Sequence, residues 1–153
     1  MFQFRGGRLL ASSFPNYSEP VARNLESYIM SGNRDDIEFV VQILSSYHGE
    51  VSINETCKTV VRALATDDAL LSGVEIVLQN TGVVSGEFGM VQAYQSKKQE
   101  MGGWLDDPDA KVRAFAESYV HLLDRQIAAE QRRSEESIEM RKRMYGDPDE
   151  AAA

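Results

Sequence analysis

The sequence predicts an all-α fold: an array of about six helices in helical hairpins, ending in a long C-terminal helix. Three observations carry this. Apolar residues recur at helical spacing along most of the chain. Cap-forming Ser, Asn and Asp precede those segments, and glycines follow them. The second pair of segments then repeats the layout of the first. At 153 residues, with 42% hydrophobic and 26% charged side chains, the composition is that of one ordinary globular domain. It excludes wholesale disorder, a collagen-like repeat and a disulfide scaffold, since Cys57 is the single cysteine.

Residues 1–17 are expected to form an irregular N-terminal cap, or the remnant of a preceding domain. Phe2, Phe4, Leu9, Leu10 and Phe14 are too apolar for a free tail, while Arg5-Gly6-Gly7-Arg8 interrupts a helix. The hairpin domain spans 18–129. Its first helix starts after Ser18, with Pro20 where a missing N–H costs nothing. Val21, Leu25, Tyr28 and Ile29 form its inward face, and Ser31-Gly32-Asn33 stops it. The second helix runs from Arg34, with Ile37, Val40, Val41, Leu44 and Tyr47 inward and Gly49 as the stop.

The plan then returns. Asn54 is placed to cap a helix whose apolar face is Cys57, Val60, Val61 and Leu64. Asp67 or Asp68 caps the next, with Leu70, Val74, Val77 and Leu78 inward and Gly82 as terminator. A shift of 33 residues puts Asp35 on Asp68, Ile37 on Leu70 and Val41 on Val74. The preceding helices match at a shift of 36, Val21 falling on Cys57 and Leu25 on Val61. This is the pattern of stacked hairpins.

The third hairpin is looser. After Ser85, a candidate cap, Phe88, Val91, Tyr94 and Met101 form a stripe that Gly102-Gly103 breaks, and Trp104-Leu105 is expected to fold back onto the core. Asp106-Asp107-Pro108-Asp109 opens the longest helix, with Val112, Phe115, Ala116, Tyr119, Leu122, Leu123 and Ile127 inward. Its charged extension, 130–145, alternates Glu130, Glu135, Glu136 and Glu139 with Arg132, Arg133, Arg141, Lys142 and Arg143. Alternating signs mark a solvated or partner-covered helix. Ile138, Met140 and Met144 are its only apolar candidates for a contact, including self-association. Residues 146–153 are expected to be a flexible tail.

Charge and motifs narrow the function. The net charge of −8 disfavours nucleic acid. No segment has the roughly 20 apolar residues of a membrane span, so no membrane partner is expected and a cytoplasmic location is. The histidines, His48 and His121, stand apart without metal-ligand spacing. Asp35-Asp36, Asp67-Asp68 and Asp106-Asp107 read as three helix caps. Cys57 lies on an apolar face, which suits a packed thiol better than a nucleophile. Glycines form neither GxGxxG nor a P-loop. The expectation is a protein with no enzymatic activity, no metal and no cofactor.

The stretch Leu105-Asp106-Asp107-Pro108-Asp109-Ala110-Lys111-Val112-Arg113-Ala114-Phe115-Ala116 resembles the second helix of a HEAT repeat. That family favours an acidic turn, then Val-Arg, then a small residue. Glu38 and Leu71 stand where the arginine belongs in the earlier hairpins. The likeness is therefore to a HEAT-like or armadillo-like array, and it implies a protein-binding scaffold or adaptor whose second helices line a concave side. On these helices the outward positions are Glu38, Gln42 and Ser45, then Ser72, Glu75 and Gln79, then Arg113, Glu117 and His121. These are the candidate partner-binding residues, facing another protein with a basic surface. The alternative expectation is a stand-alone acidic regulator, such as an immunity protein or an inhibitor of a basic protein.

Overall fold

The computed structural model describes residues 2–47, 50–80 and 83–146, with the backbone alone described over 2–7. All regular structure among them is helical: α1 (Phe2–Ser13), α2 (Glu19–Met30), α3 (Arg34–Leu44), α4 (Asn54–Ala63), α5 (Leu70–Gln79), α6 (Gly89–Glu100), the single turn α7 (Gly102–Leu105) and α8 (Ala110–Tyr145). A 3₁₀ turn, Val51–Ile53, leads into α4. The six expected helices are α2 to α6 and α8, and the long C-terminal helix is present. The expected stops at Gly49 and Gly82, the residue His48 and the tail beyond Gly146 lie outside the described residues.

The N-terminal segment corrects the sequence reading. Residues 2–13 are helical rather than irregular, straight through Gly6-Gly7. Glycine pairs are poor helix formers, but α1 docks along α3, and tertiary packing overrides local propensity. The linker after it is pinned by two tyrosines. Tyr47 Oη donates to the Phe14 carbonyl at 3.0 Å, and the Tyr17 and Thr56 hydroxyls share a hydrogen bond of 2.6 Å. The two tyrosine rings meet edge to face at 5.1 Å.

Capping follows the predicted logic at some positions and departs at others. Ser18 is the N-cap residue of α2, with Pro20 in the first turn. Gly32, at φ +72°, ends α2 in the left-handed region that favours glycine. Asn33 Oδ1 accepts from the Asp35 N–H at 2.9 Å, so Asn33 caps α3 and Asp35-Asp36 occupy its first turn instead. Asp68 accepts from the Leu70 N–H at 2.9 Å, and Asp109 caps α8 by accepting from Lys111 at 2.8 Å. Asn54 does not cap: it is the buried first residue of α4, after Ile53 at the N-cap, and its amide donates to Glu100 at 3.0 Å. Phe88, not Ser85, stands at the N-cap of α6.

Packing builds two layers of helices. α2 lies on α3 and α4 on α5 within each hairpin, while α2 also packs on α4 and α3 on α5. At Gly73 the α5 backbone comes so close to α3 that a Cβ would sit 3.0 Å from Val41 Cγ1. In the third pair α8 takes the place beside α4, while α6 packs along α8. The inward faces predicted for α3 and α4 are buried in full, as are Trp104, Val112, Phe115, Ala116, Tyr119 and Leu123. Tyr28 is the exception on α2, at 46% exposed. Among the described residues, no helix is long and apolar enough to cross a membrane.

Candidate functional site

The turn that resembles a HEAT repeat is built around Asp107, which is buried. Its Oδ1 accepts from the Asp109 N–H at 2.9 Å, and its Oδ2 from Arg62 of α4 at 3.0 Å, with Lys58 Nζ at 3.6 Å. The backbone hydrogen bond first, then the two cations, hold this carboxyl below the usual aspartate range. Lys58 also lies 5.4 Å over the Trp104 ring. Arg113, expected to face a partner, instead donates to the Asp107 and Pro108 carbonyls at 2.7 and 2.8 Å. It closes its own turn, and its guanidinium is spent there.

The other predicted positions differ in exposure. Glu38, Gln42 and Gln79 are half-buried, and Gln42 Oε1 is buried with no hydrogen-bond partner among the described residues. Ser45, Glu117 and His121 are exposed. Ser72 and Glu75 enter a cleft of about 280 Å³ between α5 and α8. Lys111, Ala114, Phe115 and Ser118 form its other wall, and Asp67 and Asp68 close one end. Burial raises the Glu75 carboxyl above its ordinary value, with Arg125 opposing. The Leu70 N–H, then Arg34 at 3.1 Å, lower Asp68. The cleft offers carboxylates above an apolar floor of Val61 and Leu64. That chemistry suits a cationic side chain, whose stem is apolar and whose head is charged.

A larger groove lies at the other side of the fold. α1 and α2 both pack on α3 and leave about 520 Å³ between them. Leu10 and Phe14 line one wall, Pro20, Val21, Leu25 and Tyr28 the other, over Phe39 and Ile43. Tyr28 and Phe39 meet edge to face at 6.1 Å. Sequence reasoning missed this groove because it assigned Tyr28 to the core and passed over Phe39. The available signal was Leu10–Phe14 and Phe39–Ile43, each an i,i+4 apolar pair.

The charged extension is helical to Tyr145. It is held further along than its sparse apolar content suggests. Ser134 Oγ donates to the Glu87 carbonyl at 2.7 Å, and Arg141 pairs with the Glu87 carboxylate. Ile138 is half-buried, whereas Met140 and Met144 are 63% and 67% exposed. At about 100° per residue, Ile138 and Met140 point to opposite sides of the helix, so the three do not form one surface.

Among the described residues, no group of three or more His, Cys, Asp or Glu side chains is placed to hold a metal ion. No family model, curated protein or solved structure matches the chain.

Proposed function

We propose that the chain is a non-catalytic protein-interaction module, a HEAT-like or armadillo-like hairpin array serving as a scaffold or adaptor. The observation that carries this reading is the open apolar groove between α1 and α2. Side chains of this size stand exposed in a concave trough where a helix or strand of another protein buries them. Like-on-like packing of α2 on α4 and α3 on α5 supports the array. Cys57 is fully buried, and burial pushes its thiol up to about 12, the opposite of an activated nucleophile.

The test is retention of partners from the source cell's extract on immobilised protein. Tyr28→Glu in the groove is expected to release the partners that the wild type holds. Reversal of Glu38, Glu75 and Glu117 to Lys is expected to keep them. The opposite pattern moves binding to the α5–α8 side, and a wild type that retains nothing overturns the reading.

A second reading, an acidic regulator of a basic protein, draws on the net charge of −8 and on Asp67, Asp68 and Glu75 around one cleft. Its signature is an association rate that falls steeply with salt.

A further inference from the structure

We infer that the cleft between α5 and α8 binds a small zwitterion, an ammonium group and a carboxylate joined by an apolar chain. The inference goes beyond the docking groove and does not depend on it. A volume of about 280 Å³ lies just below the roughly 300–1,000 Å³ of small-molecule pockets, so it suits a ligand of amino-acid size. A helix, about 10–12 Å across with its side chains, is too large for it.

Charges of both signs line this cleft unpaired. Asp67 and Glu75 present carboxylates, and Lys111 on the α8 wall presents an ammonium group. None of these three side chains makes a hydrogen bond or an ion pair with another described residue. Arg125 acts on the Glu75 charge from beyond ion-pair reach. Asp68 is already spent on Arg34 and the Leu70 N–H, which leaves Asp67 and Glu75 as the acceptors for a cation. Unlike charges on neighbouring helices of this fold pair where they come within reach, as Lys98 of α6 and Asp124 of α8 do at 2.7 Å. Across the α5–α8 cleft they stay apart.

That separation selects the ligand. A cation alone satisfies the carboxylates and is repelled by Lys111, and an anion alone meets the reverse. A molecule with both end groups satisfies both sides at once. Between them lie Val61, Leu64 and Phe115, a buried apolar floor that a run of methylenes covers. Glu75 is half-buried, so a bound ammonium group also offsets a desolvation cost that the fold already bears.

NMR titration of the full chain with ε-aminocaproate tests this. Saturable shifts are expected in the amides of α5 and of the start of α8, with a Kd at or below about 10 mM. Hexylamine and hexanoate, each lacking one end group, are expected to bind at least about tenfold more weakly. β-Alanine has both end groups but no chain to cover the floor, and is expected to bind more weakly as well. Lys111→Gln is expected to lower the affinity for ε-aminocaproate about tenfold, and Asp67→Asn with Glu75→Gln to do the same, with unchanged circular dichroism. Hexylamine separates the two sides: its weak binding survives Lys111→Gln and is lost in the double variant. Tyr28→Glu in the α1–α2 groove is expected to change none of this, so the fates of the cleft and the groove are read separately.

An absence of saturable shifts up to about 50 mM ε-aminocaproate overturns the proposal. So does hexylamine that binds as tightly as ε-aminocaproate, which would make the cleft a plain cation site, or an affinity that Lys111→Gln leaves unmoved.

Discussion

Arg62 Nη2 on α4 donates to Asp107 Oδ2 at 3.0 Å, a bond between residues 45 positions apart that ties the second hairpin to the turn before α8. The same carboxylate serves that turn through its other oxygen, which accepts from the Asp109 N–H. One side chain thus closes a loop and joins the second hairpin to the third.

Two substitutions separate these roles. Asp107→Asn keeps an oxygen for the Asp109 N–H and loses the ion pairs, whereas Asp107→Ala loses both. The expected order of melting temperature is wild type, then Asn, then Ala, with several degrees between the extremes. In the Asn background, Arg62→Ala is expected to add little, because its partner charge is already gone. Equal melting temperatures for Asn and Ala would assign the whole effect to the ion pairs.

The pH response is split between groups of opposite sign. Asp68 and Asp107 lie below the ordinary aspartate value of 3.8, so their stabilisation is present above that pH and lost as pH falls through their lowered values. Glu75 lies above its ordinary 4.5 because burial penalises its charge, so its ionisation costs stability once pH rises past 4.5. Glu75→Gln is therefore expected to raise the melting temperature by a few degrees at pH 7 and to leave it unchanged below about pH 4. A lower melting temperature at pH 7 would show that attraction to Arg125 outweighs the burial cost.

Tyr119 is fully buried on α8, and its hydroxyl has no hydrogen-bond partner among the described residues. Burial raises the pKa of that hydroxyl well above the ordinary tyrosine value, so it is neutral at pH 7. The ring carries the stability, stacked against Phe115 at 6.0 Å between centroids. Tyr119→Phe is expected to change stability by less than about 1 kcal/mol, since no protein hydrogen bond is lost. Tyr119→Ala is expected to cost about 3–5 kcal/mol for the cavity. Denaturant unfolding of both variants checks the contrast, and a large loss in the Phe variant would reveal a bound partner for the hydroxyl.

The parts of this fold that follow from periodicity were legible in the sequence. On α3 and α4 every residue placed inward is buried, because a repeat near 3.6 residues fixes which side meets the core. What depended on contacts between distant segments was not legible. α1 is ordered by docking on α3, which Gly6-Gly7 does not announce. Gly73 matters because a Cβ there would press on Val41 Cγ1, far away in sequence, at 3.0 Å. Arg113 has the spacing of a partner-facing residue, yet the carbonyls of its own turn claim it first. Tyr28 sits at the boundary of a helix face, and only the presence of α1 turns that boundary into the wall of a groove.

The C-terminal extension carries the last prediction. Ile127 ends the continuous apolar stripe, and beyond it the helix is retained by continuity with the packed half and by two bonds to Glu87. Ion pairs within the extension, such as Arg143 with Glu139 at 2.5 Å, are exposed and add only about 0.3–0.5 kcal/mol each. A helix shorter than about 12–15 residues is marginal alone in water, so the segment follows the core rather than supporting it. Deleting residues from Gln131 onward is therefore expected to leave the hairpins folded with a melting temperature lower by only a few degrees. Glu87→Ala in the full chain is expected to reproduce only part of that small loss, because the carbonyl bond to Ser134 survives it. Fraying from Gln131 outward, read by amide hydrogen exchange, is expected to increase in the same variant. Collapse of the truncated protein at room temperature would show instead that the extension is part of the cooperative core.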